Sequence, residues 1–223
     1  MSYIELKNIT KIYGSKDNQL FALDNVNLSI MKGEMIAIMG PSGSGKSTLL
    51  NIMGTLSVPT SGTYILGSID MSNLGGMQTA KFRNNHVGFV VQNFALIDNY
   101  TVSQNIEIPM LYAGFSKVLR TKRIKELLNQ LNISGKEKAL PSELSGGQCQ
   151  RVAIARALSN NPNIILADEP TGASDKKNGE EIMRIFEELN KEGKTIIIVT
   201  HNEEIAKRCQ RIIYMEDGKI VGN

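Results

Sequence analysis

Residues Gly40 to Thr48 read G-P-S-G-S-G-K-S-T. Three glycines, at 40, 43 and 45, let a backbone take conformations barred to other residues and come close to a ligand. Pro41, Ser42 and Ser44 fill the loop between them, and Lys46, Ser47 and Thr48 open the segment that follows. The pattern G-x-x-x-x-G-K-S/T grips phosphates: loop amides and a helix N-terminus form an anion cradle. A lysine then reaches the β- and γ-phosphates, and a hydroxyl holds Mg²⁺. Lys46 and Ser47 take those two roles.

Two further strand ends carry groups that complete phosphate chemistry. Ile164 to Glu169 reads I-I-L-A-D-E, an apolar run closing on two carboxylates. Ligands of open α/β sheets bind at the carboxyl ends of strands. Asp168 is there to hold Mg²⁺, and Glu169 to polarise an attacking water. Ile196 to His201 reads I-I-I-V-T-H, which brings one of the two histidines to a strand end. His201 suits a hydrogen bond to a γ-phosphate and the water beside it. Gln92 ends the run Val87–Val91 and is read as a neutral metal or water ligand. The other histidine, His86, reads as a flanking residue without a role.

Leu144, Ser145, Gly146, Gly147 and Gln148 read L-S-G-G-Q and lead into a helical stretch, Cys149–Leu158. Ser145 is placed to cap that helix. Gly146 and Gly147 leave its first-turn amides open to a phosphate.

Elements that hold such groups in place are visible in the pattern. Met35–Met39, Val87–Val91, Ile164–Ala167, Ile196–Thr200 and Ile212–Met215 are short apolar runs rich in Val and Ile, as in strands buried on both faces. Lys46–Met53 reads as a helix leaving the phosphate loop. Ile124, Leu127, Leu128 and Leu131, and again Ile182, Ile185, Phe186 and Leu189, repeat at i, i+3, i+4, i+7 and form core-facing helix stripes. Gly193 suits a left-handed stop after the second. The stretch Asn93–Asn160 lacks strand alternation and reads as an inserted helical lobe with Pro109 and Pro141 as breaks. Ile4–Ile30 reads as antiparallel strands.

Composition agrees with this reading. At 223 residues the chain suffices for one large domain or a core with one inserted lobe, and 41% hydrophobic content supports a sizeable core. A net charge of +3 is too small to argue for a nucleic-acid partner. No apolar run approaches the roughly 18 residues of a membrane span, and charges interrupt the N-terminus as they would not in a signal peptide. The two cysteines, Cys149 and Cys209, fit no metal spacing and read as reduced thiols. The expected location is therefore cytoplasmic.

Together, Gly40–Thr48, Gln92, Leu144–Gln148, Ile164–Glu169 and His201 resemble, in order and spacing, the ATP-binding cassette (ABC) ATPases, over essentially the whole chain. The resemblance implies an α/β fold: a P-loop NTPase (RecA-like) core with a mostly parallel sheet, an N-terminal antiparallel β subdomain and an inserted α-helical subdomain. Within a single domain, 1–223, residues 1–30 contribute to the β subdomain, 31–92 and 161–223 form the ATP-binding core, and 93–160 form the helical lobe with the L-S-G-G-Q signature. It also implies ATP and Mg²⁺ as ligands. Lys46, Gln92, Glu169 and His201 are the implied catalytic set, with Ser47, Gln92 and Asp168 on the metal. Gly40–Thr48 surround the phosphates and Tyr13 stacks on adenine. Two copies would pack head to tail, the signature of each covering the ATP of the other, with Asp175 at the seam. Asn93–Asn105 would meet a separate membrane permease and hold the chain on the inner face of the membrane.

At finer grain, Ile38–Ile52, Val87–Phe94 and Arg151–Pro162 resemble cassettes of macrolide export, lipoprotein release and peptide export. That likeness implies a separate four-helix permease and export of a peptide, lipoprotein or hydrophobic drug. Two positions depart from the family pattern. Ser174 replaces the leucine of an A-L-D loop, and Cys149 stands where a polar residue is usual, so a thiol reagent there would hinder closure. The alternative is a soluble or structural ABC ATPase of the cell envelope or ribosome, without a transported substrate. Those acting on nucleic acid usually carry two cassettes or a long coiled-coil insertion, and neither is present. A plain phosphate-loop kinase has no use for Leu144–Gln148.

Overall fold

The computed structural model describes residues 2–15, 18–172 and 176–222. The chain divides into two compact units, residues 1–80 with 190–223, and residues 81–189.

The first unit holds two sheets. β1 (Ser2–Tyr13) and β2 (Leu20–Met31) pair antiparallel, from Ser2↔Met31 to Tyr13↔Leu20, with several register shifts. β4 (Ser61–Leu66) pairs with β1, and β5 (Ile69–Asp70) with β4, so the antiparallel sheet draws strands from well beyond residue 30. Its inner face alternates as a half-buried sheet should: Ile4, Leu6 and Ile9 on β1 and Val26, Leu28 and Ile30 on β2 are all buried.

The other sheet of this unit is built on β3 (Met35–Met39), every residue of which is buried. β3 pairs in parallel with β8 (Thr195–Val199) on one side and β9 (Arg211–Glu216) on the other. β10 (Lys219–Gly222) folds back antiparallel on β9. The unbroken apolar runs M-I-A-I-M and T-I-I-I-V are thus strands covered on both faces. α1 (Lys46–Met53) follows β3 and buries Leu49, Leu50, Ile52 and Met53. Gly193 takes φ 90° after α6 (Lys176–Lys191), as a left-handed stop requires.

In the second unit β6 (Val87–Val90) and β7 (Ile164–Asp168) run parallel, Val87 opposite Ile164. Between them lie α3 (Val102–Tyr112), α4 (Lys117–Gln130) and α5 (Gly146–Leu158). Ile124, Leu127 and Leu128 of α4, with Leu131 just past it, are buried as their spacing predicts. Burying a leucine side chain contributes about 1.5–3 kcal/mol. Pro109 does not break a helix; it lies inside α3. Its carbonyl accepts from the side-chain amides of Asn84 and Asn160, each at 3.0 Å, and from the Ala113 amide. Those contacts anchor the turn in which proline removes one helix hydrogen bond.

No helix among the described residues is long and apolar enough to cross a membrane.

Candidate nucleotide site

The phosphate loop is the turn between β3 and α1. Gly40, Gly43 and Gly45 adopt φ of 153°, 82° and 96°. They are glycines for different reasons. A Cβ at Gly40 would lie 2.1 Å from the Met215 carbonyl oxygen, and one at Gly45 would lie 2.3 Å from that of Ala22. At Gly43 a Cβ would meet nothing within 4 Å and would project into open space over the loop. The outer glycines let the loop seat against β2 and β9, and the middle one keeps the cradle clear.

Ser44 pins the loop from below. It is buried, its amide donates to the Pro41 carbonyl at 3.3 Å, and its own carbonyl accepts from the Gly218 amide at 3.1 Å. The Lys46 ammonium spans the loop, donating to the carbonyls of Gly40 (2.8 Å) and Pro41 (2.7 Å) and to Ser44 Oγ (3.4 Å). α1 opens at Gly45 without a side-chain cap. Pro41, Ser42, Gly43 and Ser47 face solvent, with Lys46 and Thr48 half-buried. An uncapped helix start carrying a lysine over glycines is built for an anion.

The structure brings two other expected residues of this unit to the same loop. β8 lies next to β3 with Val199 opposite Ile38, and the Thr200 amide donates to the Ile38 carbonyl at 3.1 Å. His201, exposed at the end of β8, therefore stands beside the start of the loop. Tyr13 ends β1 opposite Leu20, two residues from the Ala22 carbonyl that abuts Gly45. The residue is 43% exposed, and the Lys11 ammonium lies 5.1 Å from the ring centroid. Met215, Gly218 and Ala22, the walls of the loop, were not expected from sequence. Asp217-Gly218, at φ 45° and 76°, is a hairpin turn that a D-G search would have found.

The second unit assembles the remaining groups. β7 ends at Asp168, and Glu169 takes φ 47°, which a non-glycine residue rarely adopts. The Gly172 amide closes the turn on the Glu169 carbonyl at 3.0 Å. Beside this turn sits Gln92: its Nε2 is 3.4 Å, and the Glu169 Cβ 3.6 Å, from where a Cβ at Gly172 would be. Gln92 and Glu169 thus flank one glycine. Buried Gln150, unremarked in the sequence, donates through Nε2 to the Pro170 carbonyl at 2.7 Å.

Ser145 caps α5. Its Oγ accepts from the Gln148 amide at 3.3 Å, and the Gln148 side chain accepts from the Ser145 amide at 3.0 Å. Leu144 is half-buried, and Ser145 and Gly146 are exposed at the helix start. Gly147 is different: a Cβ there would meet the Asn178 side chain at 3.0 Å, so this glycine serves the packing of α5 against α6. Ser145, Gly147, Gln148, Arg151, Asn178 and Glu181 line part of an open polar groove of about 620 Å³. Cys149 corrects the expectation of an accessible thiol. It is buried, its Sγ points to the Pro141 carbonyl, and burial raises its pKa. The loop position Asp175, like Ser174, lies outside the described residues.

The donor types suit Mg²⁺. A serine hydroxyl (Ser47), an amide oxygen (Gln92) and one carboxylate (Asp168) are hard oxygen ligands, and Mg²⁺ takes few of these beside water and phosphate. No cluster of three or more His, Cys, Asp or Glu converges among the described residues.

The sequence pattern of the family described as "ABC transporter" matches residues 23–172, which include the phosphate loop, the L-S-G-G-Q run and Asp168–Glu169. The chain belongs to the ABC transporter family. Among its relatives, the macrolide export ATP-binding/permease protein MacB of Salmonella choleraesuis is 50% identical over 220 residues, covering 99% of the chain and 34% of MacB. The ABC transporter ATP-binding protein YvrO of Bacillus subtilis is 48% identical over 98% of the chain and 95% of its own length. In three dimensions the cassette resembles MJ0796, solved as a dimer in a post-hydrolysis state bound to ADP and Pi. The TM-score is 0.92 at 46% identity, covering 98% of the chain and 97% of MJ0796. The chain spans about a third of the length of the macrolide-export relatives it matches. The fold is that of an ABC ATPase cassette, mixed α/β with an antiparallel β sheet, parallel strands and a set of helices.

Proposed function

We propose that this chain binds and hydrolyses ATP as the motor subunit of an ABC transporter, pairing head to tail with a second copy around two Mg-ATP. The observation that carries the reading is the uncapped, lysine-spanned loop at Gly40–Thr48, in a cassette closely similar to one solved as a dimer with ADP and Pi. Sequence grouping into 1–30, 31–92 with 161–223, and 93–160 belongs to the same proposal.

The residues divide the work. Tyr13 stacks on adenine. Lys46 gives up the Gly40 and Pro41 carbonyls and turns to the β- and γ-phosphates. Ser47, Gln92 and Asp168 would hold Mg²⁺, which when bound would neutralise charge on the phosphate oxygens. Glu169 takes the proton of the attacking water, and His201 steadies that water against the γ-phosphate. Leu144–Gln148 of the partner copy close over the same nucleotide. Closure excludes water, which strengthens each of these interactions. Separation of charged products reopens the pair.

The partner in the membrane is a permease, as the ATP-binding/permease protein MacB suggests, and we take it to be a separate chain. Its contact is Asn93–Asn105, where Ile97 and Tyr100 are exposed. The neighbouring helix ends add Leu111, Tyr112, Phe115, Val118 and Leu119, all exposed apolar side chains of the kind that mark interaction surfaces. The chain then sits on the cytoplasmic face of the membrane through that permease. The direction is export, of a hydrophobic drug, peptide or lipoprotein, and no nucleic acid takes part.

Two variants test the motor. Lys46→Ala is expected to lose ATP binding, read by a fluorescent nucleotide. Ser145→Arg is expected to keep monomer binding and lose hydrolysis, read by phosphate release. Normal turnover in Ser145→Arg overturns the shared site, and stimulation of wild-type turnover by a co-expressed permease supports the coupling.

A further inference from the structure

We infer that Arg156 of α5 is a positioning residue for Gln92, setting the loop that carries this ligand by gripping two carbonyls just beyond it. The inference rests on the reading of Gln92 as a ligand of the metal and the attacking water.

The loop after β6 makes a turn, with the Phe94 amide donating to the Val91 carbonyl at 3.1 Å. Phe94 and Ala95 then both take left-handed conformations, φ 57° and 47°. Such values are uncommon for residues with a Cβ, and two in succession need outside support. Arg156 supplies it. Its Nη2 donates to the Phe94 carbonyl at 2.7 Å, and its Nη1 donates to the Ala95 carbonyl. A planar fork with several parallel donors suits two adjacent carbonyls; an ammonium cannot reproduce that geometry.

The grip is held on a firm base. The α5 backbone meets β6 so closely that a Cβ at Gly88 would lie 2.5 Å from the Ala157 carbonyl oxygen. The guanidinium is partly withdrawn from water, which lowers its pKa from the ordinary arginine value. A side chain with a partly desolvated charge, set on two backbone oxygens, fixes distance as well as direction. Arg156 belongs to the helix that begins at Ser145. Gln92 and the helix start that would face the partner's nucleotide are therefore tied together through one side chain, and a shift of α5 moves the Gln92 loop with it.

Arg156 would also hold the fold together, so the test separates the two roles. Turnover, ATP KM and thermal midpoint are measured for Arg156→Met, Arg156→Lys, Gln92→Ala and the Arg156→Met/Gln92→Ala double variant. A small displacement of a reacting group costs up to a hundredfold, so Arg156→Met is expected to lower kcat about tenfold with KM within about twofold. Arg156→Lys is expected to lower kcat about threefold. If Arg156 acts through Gln92, its loss costs nothing further once Gln92 is alanine, so the double variant matches Gln92→Ala. Multiplying losses overturn the inference alone. Unchanged kcat in Gln92→Ala overturns the reading of Gln92 together with the inference. Should Arg156→Met fail to fold, the same cycle is run with Arg156→Lys, and a Lys variant at wild-type kcat overturns the inference.

Discussion

The Gln150 side-chain amide donates to the Pro170 carbonyl across 2.7 Å inside the second unit. One residue is two positions past the L-S-G-G-Q run, and the other directly follows Glu169. The helix start and the acidic strand end are thereby fixed to one another by a single buried amide.

Gln150→Ala leaves the Pro170 carbonyl without that donor, at an expected cost of about 1–3 kcal/mol. Gln150→Met is expected to cost less. Both variants remove the donor and the unpartnered Oε1, but methionine fills the buried volume that alanine leaves empty. Urea unfolding midpoints of the two variants check the order; equal losses would show that the side-chain volume at this position has no weight.

The loop glycines separate folding from binding. Gly45→Ala drives a methyl into the Ala22 carbonyl at a positive φ, and is expected to destabilise by about 2 kcal/mol or more. Gly43→Ala meets no neighbour and pays only the left-handed strain, about 1–2 kcal/mol. Both are expected to lose ATP affinity, Gly43→Ala because its methyl enters the phosphate cradle. Calorimetric titration beside thermal melts checks this, and full ATP affinity in Gly43→Ala would contradict the cradle.

Cys149 is expected to resist alkylation in the folded protein and to react at the rate at which the chain opens. Burial raises its pKa, so the thiolate forms more readily in the unfolded chain. Stability from this group is complete below the ordinary thiol range and declines as pH rises through it. Mass spectrometry after maleimide treatment reads the modification; rapid labelling without loss of fold would contradict the burial.

Much of this was legible in the sequence, because the local signal and the tertiary demand agree there. β3 and α1 lie where M-I-A-I-M and the phosphate-loop pattern put them. Ser145 caps α5 as its hydroxyl and the following glycines suggested. Other parts carry no local signal. α2 (Gly76–His86) buries no side chain, so it leaves no apolar stripe to read. Pro109 looks like a helix break until Asn84 and Asn160 are seen to hold its carbonyl. The walls of the loop come from Ala22, Met215 and Gly218, each distant in sequence and contributing backbone, which has no residue code. Gln150 and Arg156 likewise act on carbonyls, so only the folded chain shows what they grip.

A nucleotide shared by two copies is the central proposal, and Glu169→Gln is its most direct test. The variant keeps the shape of the side chain and removes the carboxylate proposed as the base, so ATP should bind and persist. Light scattering at saturating Mg-ATP is expected to report twice the monomer mass, reverting when nucleotide is removed. A protein that binds ATP and stays at monomer mass would contradict the account.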